Sequence, residues 1–171
     1  MIITEGHKND FGCLMVYPSE QVMKKIVEFS NKVITKDIVY IDPADDGYGV
    51  ENDPHVTIKY GFTEDLKKDF VEGIANHFDP FVVTLKAITL FNNPKYDVVK
   101  FDVESPILLQ IRAMVNDLPN EDKYKDYNPH MTISYVKKGS FPLKKEGLHI
   151  QIPISRLKYS GKNEEKFFVD L

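Results

Sequence analysis

The feature that most constrains this chain is a short motif that occurs twice. Pro54-His55-Val56-Thr57-Ile58-Lys59-Tyr60 and Pro129-His130-Met131-Thr132-Ile133-Ser134-Tyr135 agree at five of seven positions, and their histidines are 75 residues apart. Each copy follows an acidic loop that contains tyrosine, and each has a helix-like segment and strand-like segments upstream. The repeat predicts that the 171 residues form a single domain built from two pseudo-symmetric halves, with one copy of the motif in each.

Both copies alternate apolar and polar residues, which is typical of a β-strand with one buried face. We expect the buried face to carry Val56, Ile58, Tyr60 and Phe62 in the first copy and Met131, Ile133 and Tyr135 in the second. The other face would carry His55, Thr57 and Lys59 in the first copy and His130, Thr132 and Ser134 in the second. Each strand would then present an imidazole and a hydroxyl that point the same way.

Two opposed imidazoles can act as an acid–base pair, because histidine has an ordinary pKa of ~6.5 and one ring can be neutral while the other is protonated. The neutral ring would take a proton from water or a ribose hydroxyl, and the protonated ring would give one to a leaving oxygen. The threonine hydroxyls would hydrogen-bond to the non-bridging oxygens of a phosphate. This chemistry requires no metal and no cofactor.

Two other interpretations of the motif remain open. The repeated pairs could simply line a polar face of a sheet. The histidines could also bind zinc, although the only cysteine, Cys13, lies in an apolar run and supplies neither a second thiolate nor a disulfide. We expect Cys13 to be a buried structural thiol.

The pattern of the remaining chain predicts an α+β fold with an antiparallel sheet, because hairpins and helices are interspersed. Helices are expected after Ser19, from Thr63 to about Phe78, and after Ser105, where Pro106 takes the first helical position. Strands are expected at 11–17, 55–62, 81–91, 96–103, 130–136, 148–154 and 165–169.

The net charge of −4 argues against a surface built to grip duplex DNA. Residues 137–171, however, carry a net charge of +4. Some of their basic side chains could line a site beside His130, and the candidates are Lys137, Lys138, Arg156 and Lys158. No apolar run is long enough for a membrane span, and no leader is recognisable at the start, so we expect a soluble, cytoplasmic and monomeric protein.

Two His-x-Thr motifs on strands, in a chain of this size, resemble the 2H phosphoesterase superfamily. That superfamily includes the bacterial RNA 2′,3′-cyclic phosphodiesterases, also called 2′-5′ RNA ligases. The resemblance implies a bilobal α+β fold in which antiparallel sheets with flanking helices face a central groove. It also implies metal-independent catalysis, which would fall here to His55, Thr57, His130 and Thr132.

Further segments resemble a subgroup found in phages and bacteria. They are residues 51–61, 96–100, 103–106 and 127–130. The subgroup is similar to the phage anti-CBASS phosphodiesterases, which degrade the cyclic di- and trinucleotide messengers of bacterial antiviral defence. This implies a cyclic oligonucleotide substrate and, for a phage protein, the host cytoplasm. An RNA 2′,3′-cyclic end is the alternative substrate, and a non-catalytic nucleotide sponge is the alternative function.

Four further residues are candidate substrate contacts. Lys59 and Ser134 share the predicted face of the histidines. Arg156 stands where some relatives have an acidic residue, and it could contact a phosphate instead. Tyr17 corresponds to an aromatic residue that stacks on a base in some relatives, with ordinary packing as the alternative. The loops 42–53 and 119–129 are candidates for closing the groove.

Overall fold

The computed structural model describes residues 10–124, 126–144, 146–162 and 165–171. The strands are β1 (Gly12–Pro18), β2 (Val56–Phe62), β3 (Phe81–Asn92), β4 (Tyr96–Glu104), β5 (His130–Lys137), β6 (Gly147–Ser160) and β7 (Lys166–Asp170). The helices are α1 (Glu20–Val33), α2 (Lys68–Ala75) and α3 (Pro106–Val115). The predicted α+β class is confirmed. Residues 1–9, where a leader would begin, lie outside the described ranges.

The strands form one antiparallel sheet in the order β1-β2-β5-β4-β3-β6-β7, and β6 also pairs with β1. The first half of β6 pairs with β3 and its second half with β1, from Cys13–Ser160 to Pro18–Ile154. The sequence predicts a strand only to residue 154, whereas β6 runs on to Ser160. This extension pairs β6 with β1 and so closes six strands into a ring.

The hydrophobic core lies between one face of this sheet and the three helices. Its members from the helices are Ile26 of α1, Val71, Ile74 and Ala75 of α2, and Leu108, Ile111 and Val115 of α3. They pack against buried strand residues that include Leu14, Val56 and Met131. Complete burial of one such large aliphatic side chain contributes about 1.5–3 kcal/mol. No helix in the described ranges has the length and apolar character that crossing a membrane requires.

Two of the three predicted helix starts are confirmed, and the third is wrong. Ser19 caps α1 by accepting a hydrogen bond from the backbone N–H of Val22 at 3.4 Å, and Pro106 is the first residue of α3. The second helix begins at Lys68 and not after Thr63. The backbone N–H of Thr63 donates instead to the carbonyl of Pro119 at 3.1 Å, which ties this residue to the segment that precedes the second motif.

Both motif strands contain a β-bulge immediately after the threonine. In β2, Thr57 lies opposite Met15 and Lys59 lies opposite Leu14, so Ile58 is the extra residue. In β5, Thr132 lies opposite Lys100 and Ser134 lies opposite Val99, so Ile133 is the extra residue. One extra residue reverses which side chains face the core from that point on.

The bulges place Lys59 and Ser134 on the core face, so the prediction that they share a face with the histidines is wrong. Lys59 is only 2% exposed, and its Nζ donates to the carbonyl of Asn116 at 3.0 Å, next to the end of α3. The hydroxyl of Ser134, fully buried, donates to the carbonyl of Gly49 at 3.0 Å. Tyr60 and Tyr135, predicted to face the core, turn to the opposite face for the same reason.

The segment before each motif pairs with the strand of the other motif. The segment that leads to His55 forms bridges from Val39 and Val50 to β5, and the N–H of Glu51 donates to the carbonyl of Ile133 at 2.9 Å. The segment that leads to His130 forms a bridge from Asn120 to β2, and the N–H of Glu121 donates to the carbonyl of Gly61 at 2.9 Å. These crossed segments satisfy backbone groups that β2 and β5 would otherwise leave unpaired.

Gly61 offers a test of this crossed arrangement. Its φ of 101° suits glycine, and a Cβ there would lie 3.0 Å from the backbone nitrogen of Asp122. We expect Gly61→Ala to lower the free energy of unfolding by about 1–3 kcal/mol in urea titrations, through backbone strain and displacement of the crossed segment. Gly73→Ala in α2 is the control, because its Cβ would meet nothing within 4 Å. It should stabilise the protein by about 0.5–1 kcal/mol. Equal stability of the two variants would contradict this account.

Candidate active site

The two motifs adjoin where β2 and β5 meet. These strands share one antiparallel pair, Val56 with Met131, and both side chains are fully buried in the core. The residues on either side of this pair therefore point away from the core, to a surface that we call the motif face. It carries His55, Thr57, His130 and Thr132, all of which are partly exposed. Because the strands are antiparallel, an extension of this register would place His55 across from Thr132 and Thr57 across from His130.

Both imidazoles are held in the same way by the chain that precedes them. The Nδ1 of His55 lies 2.6 Å from the carbonyl oxygen of Asp53, and the Nδ1 of His130 lies 2.9 Å from that of Asn128. A carbonyl only accepts hydrogen bonds, so each Nδ1 carries the hydrogen and each Nε2 is left to exchange a proton. The repeated proline at 54 and 129 favours an extended conformation for the residue before it, which sets the direction of that carbonyl.

Tyr17 supports His55 and is not accessible to a nucleobase. Its ring stacks on the imidazole of His55 with centroids 5.3 Å apart and an angle of 22° between the planes. The side chain is fully buried. The base-stacking interpretation of Tyr17 is therefore wrong, and the packing interpretation is confirmed. The cause is that other side chains cover the ring: the Phe168 ring of β7, with centroids 5.6 Å apart, and the Lys158 ammonium of β6, 5.1 Å from the ring centre.

A partly buried polar cluster lies beside His55. The hydroxyl of Tyr17 donates to Oδ2 of Asp53 at 2.6 Å, and Nζ of Lys158 lies 3.2 Å from that hydroxyl and 3.3 Å from the same carboxylate oxygen. Burial acts to raise the pKa of Asp53, but the hydrogen bond from Tyr17 and the positive charges of Lys158 and His55 outweigh it and hold the pKa below its ordinary value. Asp53 is therefore ionised at neutral pH.

A similar cluster lies beside His130. Nζ of Lys100 donates to the hydroxyl of Thr89 at 2.7 Å and forms a short ion pair with Asp102, and the Thr89 hydroxyl donates to Asp102 at 2.8 Å. The ammonium of Lys100 also lies 4.3 Å from the centre of the Phe91 ring. Phe91 in turn contacts His130 in an edge-to-face arrangement, with centroids 4.9 Å apart.

These surroundings lower the pKa of His130. Burial is the largest cause, because it disfavours the charged imidazolium, and the positive charges of Lys100 and His55 act in the same direction. The hydrogen bond to Asn128 and the negative charge of Asp102 oppose the shift without cancelling it. His130 is therefore neutral at pH 7.

Two of the basic residues near the end of the chain lie on the His55 side of the site. Arg156 and Lys158 are there because the second half of β6 pairs with β1. The guanidinium carbon of Arg156 is 4.4 Å from the centre of the Phe168 ring, and its buried Nε has no hydrogen-bond partner among the described residues. Lys137 donates to the carbonyl of Asp37, and Lys138 pairs with Asp97, so both are engaged in structural contacts.

Sequence reasoning missed Asp53, which precedes the first motif, and Lys100 and Asp102 of β4. Lys100 and Asp102 alternate along β4 and so share one face, but only the register with β5 places them opposite Thr132 and His130. Asp53 lacks a counterpart in the second copy of the motif, where Asn128 takes its position. Within the described ranges, no three His, Cys, Asp or Glu side chains converge as ligands of a metal ion would.

Three solved structures illustrate the fold. TT0787 of Thermus thermophilus is 15% identical, with a TM-score of 0.59 over 94% of each chain. E. coli LigT, complexed with 3′-AMP, is 12% identical, with a TM-score of 0.60 over 94% of each chain. Usb1 of Kluyveromyces marxianus with uridine monophosphate is 13% identical, with a TM-score of 0.57 over 96% of this chain and 99% of that one. At these identities the likeness establishes the fold alone.

A comparison of sequences establishes the family. A search of curated proteins finds no match. The family model of the 2′-5′ RNA ligase superfamily, however, matches residues 40–144, a range that contains both His-x-Thr motifs and the strand β4 between them. This chain therefore belongs to the 2′-5′ RNA ligase superfamily, the group of 2H phosphoesterases that its two motifs resemble.

Proposed function

We propose that this protein is a phosphodiesterase that cleaves a nucleotide phosphodiester with His55 and His130 as its acid–base pair. One observation carries the proposal: two imidazoles, each with Nδ1 turned to a backbone carbonyl and Nε2 left for proton transfer, share one face with two threonine hydroxyls. Each pseudo-symmetric half of the chain contributes one histidine and one threonine.

The surroundings of the two histidines suggest different roles in the first step. Neutral His130 takes the proton of a ribose 2′-hydroxyl, whose oxygen attacks phosphorus while the bond to the 5′-oxygen breaks. Protonated His55, with the carboxylate of Asp53 nearby, gives its proton to that leaving oxygen. Thr57 and Thr132 donate hydrogen bonds to the non-bridging oxygens. The product is a 2′,3′-cyclic end, which water opens in a second step with the histidine roles exchanged.

We propose that the substrate is a cyclic oligonucleotide and that the protein protects a phage from the nucleotide signalling of bacterial antiviral defence. This rests on the resemblance of residues 51–61, 96–100, 103–106 and 127–130 to the anti-CBASS subgroup. The second candidate is an RNA 2′,3′-cyclic end. It is favoured by the structural neighbours, because LigT and Usb1 were solved with the mononucleotides 3′-AMP and uridine monophosphate.

A panel of substrates separates these possibilities. The protein would be incubated in EDTA with cyclic dinucleotides, cyclic trinucleotides and RNA with a 2′,3′-cyclic end, and the products identified by mass spectrometry. We expect turnover of a cyclic oligonucleotide, since the imidazoles and hydroxyls supply an acid, a base and phosphate ligands. Turnover of the RNA end alone would favour the second candidate. Tight binding of a cyclic nucleotide without any product would indicate a sponge.

Replacement of each histidine tests the acid–base assignment. His55→Ala and His130→Ala should each lower kcat by a factor of about 10² to 10⁴, because each removes one proton-transfer group. His77→Ala is the matched control, since His77 is an exposed histidine of the α2 region whose Nδ1 also lies against a backbone carbonyl, that of Gly73 at 2.7 Å. Retention of full activity by either motif variant would rule out the proposed pair.

The pH dependence of turnover provides an independent test. A base that must be neutral and an acid that must be protonated give a bell-shaped profile of kcat/KM. The acid limb reports the base of the free enzyme. Because the pKa of His130 is lowered, this limb should lie below the ~6.5 of an ordinary histidine, and activity should persist to lower pH. A flat profile between about pH 5 and 9 would contradict the mechanism.

A further inference from the structure

We propose that two clusters of lysine, aspartate and hydroxyl groups make the two identical His-x-Thr motifs unequal as proton donor and proton acceptor. The His130 cluster consists of Lys100, Asp102 and Thr89, and the His55 cluster consists of Lys158, Asp53 and Tyr17. Their residues are positioning residues, because they act through the histidines. The inference rests on the proposed function for the meaning of the two roles, but the charge states themselves can be measured without substrate.

The two clusters share one architecture. In each, a lysine and a hydroxyl converge on a single oxygen of one carboxylate, Oδ1 of Asp102 or Oδ2 of Asp53. Both lysine side chains are 8% exposed, whereas the carboxylates of Asp102 and Asp53 are 42% and 37% exposed. Each motif is therefore accompanied by a buried cation that a carboxylate and a hydroxyl help to position. Charges in such poorly solvated positions act more strongly on their neighbours than charges on the open surface.

The clusters differ in whether the residue whose carbonyl binds the imidazole is charged. In the His55 cluster, the residue that holds Nδ1 through its carbonyl is Asp53 itself, so the carboxylate of the cluster belongs to the residue that binds the imidazole. In the His130 cluster, the carbonyl belongs to the uncharged Asn128. There the cluster reaches the imidazole from β4, where Lys100 lies opposite Thr132 and packs on Phe91, which contacts His130.

The charged groups that face each histidine can be named. His130 faces Lys100 and Asp102 from β4, and His55 from the position just before β2. Burial and the two positive charges together outweigh the hydrogen bond to Asn128 and the negative charge of Asp102. His55 faces Asp53 from the preceding turn. Lys158 and Arg156 of β6 contact the Tyr17 ring that stacks on it, at 5.1 and 5.9 Å from the ring centre. Attraction between His55 and Asp53 contributes to the low pKa of that aspartate.

The test is an NMR titration of the His55 and His130 side chains in the full chain without substrate. Lys100→Met should raise the pKa of His130, because it removes a nearby positive charge, and Lys100→Arg should restore the wild-type value. Asp102→Asn should lower the pKa of His130. Asp53→Asn should leave the pKa of His130 nearly unchanged. Lys86→Met is the matched control, since Lys86 pairs with Glu104 at 3.1 Å on the same two strands but is well exposed.

The outcomes decide the inference as follows. If Lys100→Met and Lys86→Met leave the pKa of His130 equal to that of the wild type, the inference is overturned. Should Lys100→Met fail to fold, Asp102→Asn decides, because its partly exposed side chain tolerates the change; an unchanged pKa of His130 would again overturn the inference. Predicted shifts in a protein that turns over no substrate would support the inference and refute the proposed function. Turnover of substrate without these pKa shifts would support the proposed function and refute the inference.

Discussion

The site depends on one contact between strands, the pair of Val56 with Met131. Both side chains are buried in the core, so the polar residues beside them must point to the opposite face. The contact is short because the rest of that edge of β2 and of β5 is paired with the crossed segment that precedes the other motif. A longer pairing of β2 with β5 would require those segments to leave, and with them the carbonyls that orient the two imidazoles.

Because of the bulges after Thr57 and Thr132, the strands continue beyond each threonine with Tyr60 and Tyr135 on the face away from the core, in place of Lys59 and Ser134. Without them, Lys59 and Ser134 would follow on the same face. The bulges send these two side chains into the core, where each finds a backbone carbonyl. The cations near the motif face come instead from neighbouring strands, Lys100 from β4 and Lys158 from β6. The same irregularity at the same position of both motifs indicates that it belongs to the design of the site.

Equal motifs in unequal surroundings suit a reaction that needs an acid and a base at once. Two histidines in the same environment would bind protons with the same affinity, so only a fraction of the molecules would carry a single proton on the pair. Burial and Lys100 favour neutral His130, while the carboxylate of Asp53 lies beside His55. In the proposed mechanism, the superfamily motif supplies the reacting groups, and residues outside the motif supply the difference between them.

The sequence by itself determined the features that depend on local chemistry. The repeated motif, the apolar alternation as far as each threonine, the cap at Ser19 and the proline start at Pro106 all depend on residues close together in the chain. Tertiary structure decided the start of α2, the fate of Lys59 and Ser134, and the position of Arg156 and Lys158 beside His55. Each of these follows from pairing with a strand or segment far away in the sequence, at Pro119, Leu14, Val99 or β1. Side-chain alternation is a property of one strand, but a bulge exists only relative to the partner strand, and so a single chain pattern does not reveal it.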